Sequence, residues 1–497
     1  MSKLRCKVCG GQIEMQVDDR GVCLGCGARY SLESMKKMLG SHEVSMASSS
    51  SSDLEKWWQL LEKYYSASDF ASAEDAAKRI LECTPDDKDA NFVYNNIQVM
   101  KYFDIRNGII KGYNGTVGKI TLPNTIKRIE AGAFENNEYI EEITLPNSID
   151  TIEEAVFKNC KKLKHVNLPA GLKTISAEAF AGCEALETIK LPETIKRIGG
   201  MAFMDCKSLT SIALPASLEE IEVDCFASCS SLSTLSISEG LTSIGSEAFI
   251  RCTSLENVII PQSVKNIGGY AFSQCSNLAS VELPALLQTI ETGVFDSCRL
   301  LTSLTIPEGT SIIKDEAFRN CISLRKILIP PSVKTVGAFS EDSYYRREPY
   351  QGAFQGCGKL SEVIFTEGLL ALGDNTFSQC DSLKILELPN GLKNIGKKAF
   401  SFCKSLEKVS IPDSVISPED GWMYKDYSGY GFEAYPWAGC DNLSEITYPE
   451  RFSLNIFEGT KYFQNVRRDR LKRGFCPVCN QKLSLLYNRC PSCHKIY

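Results

Sequence analysis

The sequence of 497 residues predicts an α/β solenoid, a rod of short coils stacked on one another. Three observations favour this fold class. Phenylalanine recurs at a step of 23 residues with two longer steps, a cysteine follows each later anchor by three, and a short apolar alternation precedes each of them. A unit this short cannot bury its own apolar face, so it must stack on its neighbours. The thirteen aromatic anchors are Phe134, Phe157, Phe180, Phe203, Phe226, Phe249, Phe272, Phe295, Phe318, Phe354, Phe377, Phe400 and Trp437.

One unit shows how each element is expected to form. Val166 and Leu168 alternate with polar neighbours, which predicts a short strand with two inward side chains. Pro169 ends this strand, because proline cannot donate to a ladder. A second leg follows around Ile175, and a helical turn is expected to carry Phe180 into the core.

The pattern Leu163-x2-Val166-x-Leu168 is typical of leucine-rich repeats. With the added proline, Ala-Phe pair and cysteine, the unit resembles the BspA-type (Treponema-like) leucine-rich repeats across most of the chain. The resemblance implies a right-handed solenoid whose members mostly bind proteins or adhere to surfaces. It implies no reaction.

The 22 cysteines divide into a repeat column and four Cys-x2-Cys pairs, with Cys83 and Cys225 left over. Two knuckles of two thiolates supply the four soft ligands of a closed, tetrahedral zinc site, which is structural rather than catalytic. We therefore predict a zinc ribbon in residues 1–40, a second in 475–497, and two structural zinc ions. The alternative is ordinary buried thiols. The predicted ligands are Cys6, Cys9, Cys23, Cys26, Cys476, Cys479, Cys490 and Cys493.

Residues 41–52 are predicted to be a serine-rich linker, and residues 53–102 to be helical, with Thr84 as the N-cap of the third helix. Trp57, Leu60, Tyr64, Ala73 and Pro85 stand at the spacings of one tetratricopeptide unit, which this segment resembles. The resemblance implies a small peptide-binding groove. The favoured alternative is a cap over the open end of the solenoid, since a lone unit lacks neighbours that complete a groove.

Residues 103–450 are predicted to form the solenoid, after a turn-rich crossing. The first coil has Asn137 where later coils have cysteine, as expected of a terminal unit. A redox or metal ladder of stacked thiols is one interpretation of the column, and small buried hydrophobic side chains are the favoured one. The outward strand position carries Ile259, Leu328 and Ile364, a weak sign of a contact surface in the later half.

Two insertions lengthen the repeat, by thirteen residues before Phe354 and by fourteen before Trp437. Both fall between the second leg and the aromatic anchor, and both are rich in tyrosine and tryptophan, which are enriched at binding hot spots. The alternative is that these aromatics only cover the C-terminal coils. The residues predicted to bind a partner are Tyr344, Tyr345, Tyr350, Trp422, Tyr424, Tyr427 and Tyr430.

Residues 451–474 are predicted to form a basic helix, with five cations between Arg467 and Arg473. A basic helix beside a zinc ribbon can contact phosphates. The favoured alternative is a solvated helix whose cations complement the dipole at its C-terminus.

The composition narrows the function classes. A net charge of −6 argues against a generally nucleic-acid-seeking surface, and no run of the sequence is typical of a signal peptide or a membrane span. With three histidines and no catalytic motif, we expect no enzyme. The predicted function is a cytoplasmic scaffold that binds a protein of unknown identity, without a membrane partner. The alternatives are a nucleic-acid-associated protein and a surface adhesin.

Overall fold

A computed structural model describes residues 51–67, 69–339, 351–416, 435–450, 452, 454–473 and 475–476, and the backbone of residues 13–15, 21–23 and 29–30. Two compact units divide the chain, Met1–Ser238 and Glu239–Tyr497. Each contains a β-solenoid in which a coil has two short parallel strands joined by turns. The predicted α/β class is thus corrected, since the described helices lie outside the repeats.

The first unit contains a small antiparallel sheet and two parallel ladders. Its antiparallel strands are β1 (Ile13–Met15), β2 (Gly21–Cys23) and β3 (Arg29–Tyr30). The strands before the proline form the first ladder: β6 (Lys119–Thr121), β8 (Glu142–Thr144), β10 (His165–Asn167), β13 (Ser211–Leu214) and β15 (Thr234–Ile237). The second ladder contains β7 (Arg128–Ile129), β9 (Thr151–Ile152), β11 (Thr174–Ile175), β12 (Arg197–Ile198) and β14 (Glu220–Ile221).

The second unit repeats this arrangement. Its first ladder contains β17 (Asn257–Ile259), β19 (Ser280–Glu282), β22 (Lys326–Ile329), β24 (Glu362–Phe365), β26 (Ile385–Glu387), β28 (Lys408–Ser410) and β29 (Glu445–Thr447). Its second ladder contains β16 (Ser243–Ile244), β18 (Asn266–Ile267), β20 (Thr289–Ile290), β21 (Ile312–Ile313), β23 (Thr335–Val336), β25 (Ala371–Leu372) and β27 (Asn394–Ile395).

Equivalent residues of neighbouring coils lie side by side. Val166 of β10 pairs with Ile143 of β8, and Ile175 of β11 pairs with Ile152 of β9. All four side chains are buried. The constant step of the sequence therefore becomes a constant register, which places every inward side chain over its counterpart.

The segment around each anchor is a series of turns, so the predicted helical turn is wrong. Glu178 and Gly182, two residues before and after Phe180, have positive φ angles of 56° and 73°. The Phe180 amide donates to the carbonyl of Ala202 in the next coil (2.8 Å), whereas the Cys183 amide donates to Phe180 in its own coil (3.1 Å). Alternate amides thus serve the neighbouring coil, which an α-helix would not allow because it directs every amide into its own chain.

The anchors form a buried aromatic column in each unit, as the sequence predicts. Ring centroids of neighbouring anchors lie 5.1–5.3 Å apart from Phe134 to Phe226. They lie 4.9–5.8 Å apart from Phe249 to Trp437. The rings are nearly parallel, because each anchor repeats the backbone geometry of the one before it.

A β-hairpin covers the start of the first unit's second ladder. Its strands are β4 (Phe103–Arg106) and β5 (Ile109–Tyr113), and β5 pairs in parallel with β7. The Phe103 and Tyr113 rings lie 5.8 and 5.7 Å from Phe134. The predicted turn-rich crossing is therefore a hairpin that occupies an otherwise open strand edge.

Three helices precede this hairpin: α1 (Ser51–Ser66), α2 (Phe70–Cys83) and α3 (Lys88–Met100). Leu61 and Tyr65 are buried in their core, whereas Trp57, Leu60 and Tyr64 are only partly buried. Asp87 caps α3 by accepting bonds from the amides of Asp89 and Ala90 (3.0 Å each), so the expected cap at Thr84 is wrong. The helix α3 lies against β6 of the first coil.

The described C-terminal helices are shorter than predicted. A 3-10 helix (Leu454–Phe457) precedes α4 (Lys461–Lys472), where the sequence predicts one helix over residues 451–474. Glu458, Gly459 and the cap residue Thr460 separate them, and the Thr460 hydroxyl accepts a bond from the Phe463 amide (3.1 Å). No helix among the described residues is long and apolar enough to cross a membrane.

Candidate recognition surface

The two insertions fall at equivalent places in the repeat. The first follows β23 and Phe339 and contains residues 340–350, and the second follows Ile416 and lies within residues 417–434; both of these ranges are outside the described residues. The first lies between β23 and the aromatic turn, as expected, and the second lies between Ile416, whose amide donates to the Lys393 carbonyl, and the turn of Trp437. The seven aromatic residues predicted to bind a partner lie outside the described residues, so their role stays a prediction.

The backbone between the two insertions forms one continuous ladder. Leu370 donates to the Lys334 carbonyl, Lys393 donates to Leu370, and Ile416 donates to Lys393, each at 2.9 Å. Leu370 and Ile416 are exposed by 44% and 40%, and Phe339 by 38%. Neighbouring parallel strands lie about 5 Å apart, so Leu370 and Ile416 are about 10 Å apart along the ladder. We call Phe339, Leu370 and Ile416 the apolar rim.

Hydrogen bonds to Asp315 and from Asp374 stabilise the backbone directly before the first insertion. The Asp315 carboxylate accepts a bond from the Ala338 amide (2.7 Å), and the Ala338 carbonyl accepts one from the Asp374 amide (2.8 Å). After the insertion the chain returns at Gly352, where an added Cβ would lie 1.8 Å from the Asn375 carbonyl oxygen. Only glycine fits there. Sequence reasoning missed these three positions, because acids and glycines are common in every coil.

A buried polar network lies in the three coils that precede the first insertion. The Arg319 guanidinium donates to both oxygens of Asp296, at 2.8 and 3.1 Å, and contacts Glu316 at 3.4 Å. Ser273 donates to Asp296 (3.4 Å), and Tyr270 hydrogen-bonds to Glu316. Asp296 is 4% exposed and Arg319 is 27% exposed. The charges of this network are therefore mostly shielded from water.

Burial and the contacts of the network shift the pKa of three of its members. The hydrogen bond with Asp296 raises the pKa of Arg319, so the guanidinium stays charged. Burial raises the pKa of Glu316 and of Tyr270. The Glu316 amide donates to Gln351 (3.3 Å), where the chain returns from the first insertion. An acidic residue, Asp296, directly follows one anchor, and a basic residue, Arg319, directly follows the next. This pair of opposite charges is the sequence signal that could have predicted the network.

Exposed large apolar side chains concentrate in the second unit. As predicted, Ile259 and Leu328 face outward on the first ladder and are exposed by 67% and 42%; Ile364 is partly buried. Among the described residues, four such side chains lie in the first unit and twelve in the second. Those of the second unit are Ile259, Leu286, Leu300, Ile312, Ile322, Leu328, Phe339, Leu370, Ile385, Phe402, Ile416 and Leu471.

The predicted zinc ligands fall almost entirely outside the described residues. Cys23 lies in β2, and Cys476 is buried. The other six predicted ligands are outside the described part of the chain. Within the described ranges, no group of three or more His, Cys, Asp and Glu side chains could hold a metal. The two zinc sites therefore stay predictions.

The cysteine column has the contacts of a packing element. Eleven of its thiols donate to the carbonyl of the anchor one coil earlier, at 3.0–3.4 Å. Burial raises the pKa of Cys275 and Cys357 to about 12, so these thiols are poor nucleophiles. In the first coil, Asn137 replaces the thiol and donates to the Gly115 carbonyl (3.4 Å). This geometry favours the packing interpretation over a redox or metal ladder.

Comparisons with known proteins agree with this architecture. The family description "BspA type Leucine rich repeat region (6 copies)" matches residues 112–233, 219–344 and 349–428, together more than half of the chain. No curated protein matches the chain.

Two solved structures are among those similar to this chain. A leucine-rich repeat protein from Bacteroides ovatus is 24% identical, with a TM-score of 0.52, over 71% of this chain and 93% of its own. A leucine rich cell surface protein from Faecalibacterium prausnitzii is 26% identical, with a TM-score of 0.46, over 69% of this chain and 91% of its own. With its 23-residue coils, aromatic anchors and family match, the chain belongs to the BspA-type leucine-rich repeat proteins.

Proposed function

We propose that the protein is a protein-interaction scaffold whose second unit recognises a protein partner. The observation that carries this proposal is the concentration of exposed apolar side chains in that unit, with the apolar rim beside both aromatic insertions. Twelve exposed large apolar side chains among the described residues of the second unit, against four in the first, provide apolar surface that a protein partner can bury. Repeat insertions commonly map to a binding face.

The backbone under the apolar rim is rigid, which favours recognition by side chains that already have the positions needed for binding. The rim lies on backbone that is hydrogen-bonded from coil to coil, and the polar network of Asp296 and Arg319 lies directly before the first insertion. A rigid support reduces the entropy lost when a partner is bound. The aromatic residues of the insertions would supply the anchors, and Lys334 and Lys393 would supply charge at the edge.

The remaining parts of the chain would serve the scaffold. We propose that α1–α3 cap the first unit, since α3 lies against the first coil and only one tetratricopeptide-like unit is legible. Two zinc ribbons would be structural, with Cys23 and Cys476 among their ligands. A reducing cytoplasm suits zinc thiolates and a column of thiols that donate hydrogen bonds.

Quantitative affinity capture tests this proposal. The bait is the full chain, and the changed bait carries Leu370→Ser and Ile416→Ser. Truncating an interface hot spot costs about 2 kcal/mol or more, so we expect capture of specific partners to fall at least about tenfold. A second bait replaces Tyr344, Tyr345, Trp422 and Tyr424 with alanine, and it should lose the same partners without a change in thermal stability.

The first unit offers a matched control. Met201→Ser and Val223→Ser remove two exposed apolar side chains of similar exposure (36% and 46%). This control should retain every partner. If all baits capture the partners equally, or if the control loses them to the same extent, the second unit does not recognise the partner. Loss of folding in the alanine bait would assign the insertions to coverage of the C-terminal coils.

A further inference from the structure

The helix α4 is anchored at one end and exposed along the rest of its length. The Tyr462 amide donates to the Leu443 carbonyl of the last coil (2.6 Å), and Phe463 is buried. The Tyr462 ring contacts Phe457 and Tyr448 at centroid distances of 6.0 and 6.2 Å. Within α4, among the residues from 464 to 472, only Val466 and Arg470 are even partly buried. The last coil thus presents two solvated turns of helix on a fixed base.

The charge of this helix is opposite to that of the remaining chain. Between Lys461 and Arg473 there are six basic residues and one acidic residue, Asp469. Residues 451–497 contain ten Lys and Arg against two acidic residues, a net charge of +8. Since the whole chain has −6, residues 1–450 have −14. Such a charge asymmetry is typical of a segment that binds a polyanion.

The helix dipole does not account for this distribution. It favours cations only in the last turn, where Arg470 and Lys472 lie. Lys461 occupies the first helical position, where the dipole disfavours a cation. Arg468 and Lys472 are four residues apart and repel each other, and Asp469 forms an ion pair with Arg473 (3.1 Å). The cations therefore lower the stability of the isolated helix, and a bound anion would offset this.

The cations lie in two stripes on opposite sides of the helix. At about 100° per residue, Lys461, Arg468 and Lys472 share one side. Arg467, Arg470 and Arg473 lie on the other side. That side also carries the buried Phe463 and the partly buried Val466, so the first stripe is the one that faces solvent. The apolar face that an interfacial membrane helix needs is missing here, because Phe463 is buried and only Leu471 is an exposed large apolar residue of α4.

We propose that α4 binds double-stranded DNA through its phosphates, with the exposed stripe of Lys461, Arg468 and Lys472 toward the backbone at the edge of the major groove. The major groove of B-form DNA, about 12 Å wide, admits an α-helix, and phosphates border it on both sides. The major groove of an RNA duplex is too narrow. This function goes beyond protein recognition by the coils, and it uses none of the residues of the apolar rim.

Salt-dependent binding of the full chain tests the proposal. The probe is a labelled DNA duplex of mixed sequence, titrated between about 50 and 200 mM KCl. The variant carries Arg468→Gln and Lys472→Gln, which remove two cations of one stripe and leave the anchors Tyr462 and Phe463 intact. We expect at least about tenfold weaker binding near physiological salt, and a slope of log K against log salt that is smaller by about 1.8.

The control variant carries Lys314→Gln and Lys326→Gln, which remove the same charge from exposed positions of the coils. It should bind like the unchanged protein, and circular dichroism should show all three proteins equally folded. Absence of salt-dependent DNA binding overturns the proposal, as does an equal loss in the control. Tighter binding to a single-stranded RNA, or to vesicles that contain phosphatidylserine, would reassign α4 to that polyanion and reject duplex DNA.

Discussion

The polar network before the first insertion gives the sharpest stability prediction. Asp296 accepts bonds from Arg319 Nε (2.8 Å), Arg319 Nη2 (3.1 Å), Ser297 Oγ (3.2 Å) and Ser273 Oγ (3.4 Å). Asp296→Ala removes all four acceptor contacts and leaves the Arg319 guanidinium with its longer contact to Glu316 (3.4 Å). The coils on either side stay in place, because their aromatic anchors are unchanged.

The magnitude follows from burial. Removing one partner of a fully buried ion pair costs about 3–5 kcal/mol. Since the Arg319 side chain is 27% exposed and can gain some water, we expect Asp296→Ala to cost about 2–3 kcal/mol. The combination Asp296→Leu and Arg319→Met should recover most of this loss, because an apolar replacement of a buried pair is often neutral.

Glu362→Ala is the matched control for this change. It breaks the ion pair with Lys326 (2.9 Å), whose partners are 52% and 56% exposed, and should cost less than about 1 kcal/mol. Urea unfolding gives the free energies, and hydrogen exchange of peptides from 270–321 localises the loss, because repeats can open locally. If Asp296→Ala costs no more than Glu362→Ala, the network does not stabilise these coils.

Two further outcomes are expected from the flanking modules. Purified protein should contain about two zinc ions per chain by elemental analysis, and Cys6→Ser and Cys476→Ser should each remove one; protein without zinc would contradict both ribbons. Hydrogen bonds from Lys101 and then Lys78 lower the pKa of Glu74 to about 2, so its contribution to stability is present above about pH 4.5 and is lost as the pH falls toward 2. Urea unfolding should show a stability gap between the unchanged protein and Glu74→Gln that closes over this window, and a constant gap would reject the assignment.

Local patterns in the sequence were sufficient for the repeat architecture. The 23-residue step predicts stacking, and the alternation around Val166 predicts a strand, because both depend on which side chains must leave water. The aromatic column and the outward direction of Ile259 and Leu328 follow from the same periodicity, and all are present in the structure. The match with the BspA-type family confirms the resemblance inferred from the aromatic anchors and the cysteines.

Local patterns failed where the backbone of a neighbouring coil decides the outcome. The sequence around Ala179 and Phe180 predicts a helical turn. In the structure, alternate amides of this segment donate to the next coil, and the segment forms a series of turns. The glycine-rich crossing before the first coil became a hairpin, because the second ladder had an open edge. The sequence predicts Thr84 as a helix cap, but in the structure the Asp87 carboxylate accepts hydrogen bonds from two amides of α3.

The sequence by itself determined the coil, its inward residues and the places where the repeat lengthens, because these depend only on spacing along one chain. The tertiary structure alone decided which residues meet across coils. It joined Tyr270, Asp296 and Arg319, which are 23 or more residues apart, and it placed Leu370 and Ile416 on one rim. No local sequence pattern predicts such groups, since their members come close to one another only when the coils stack.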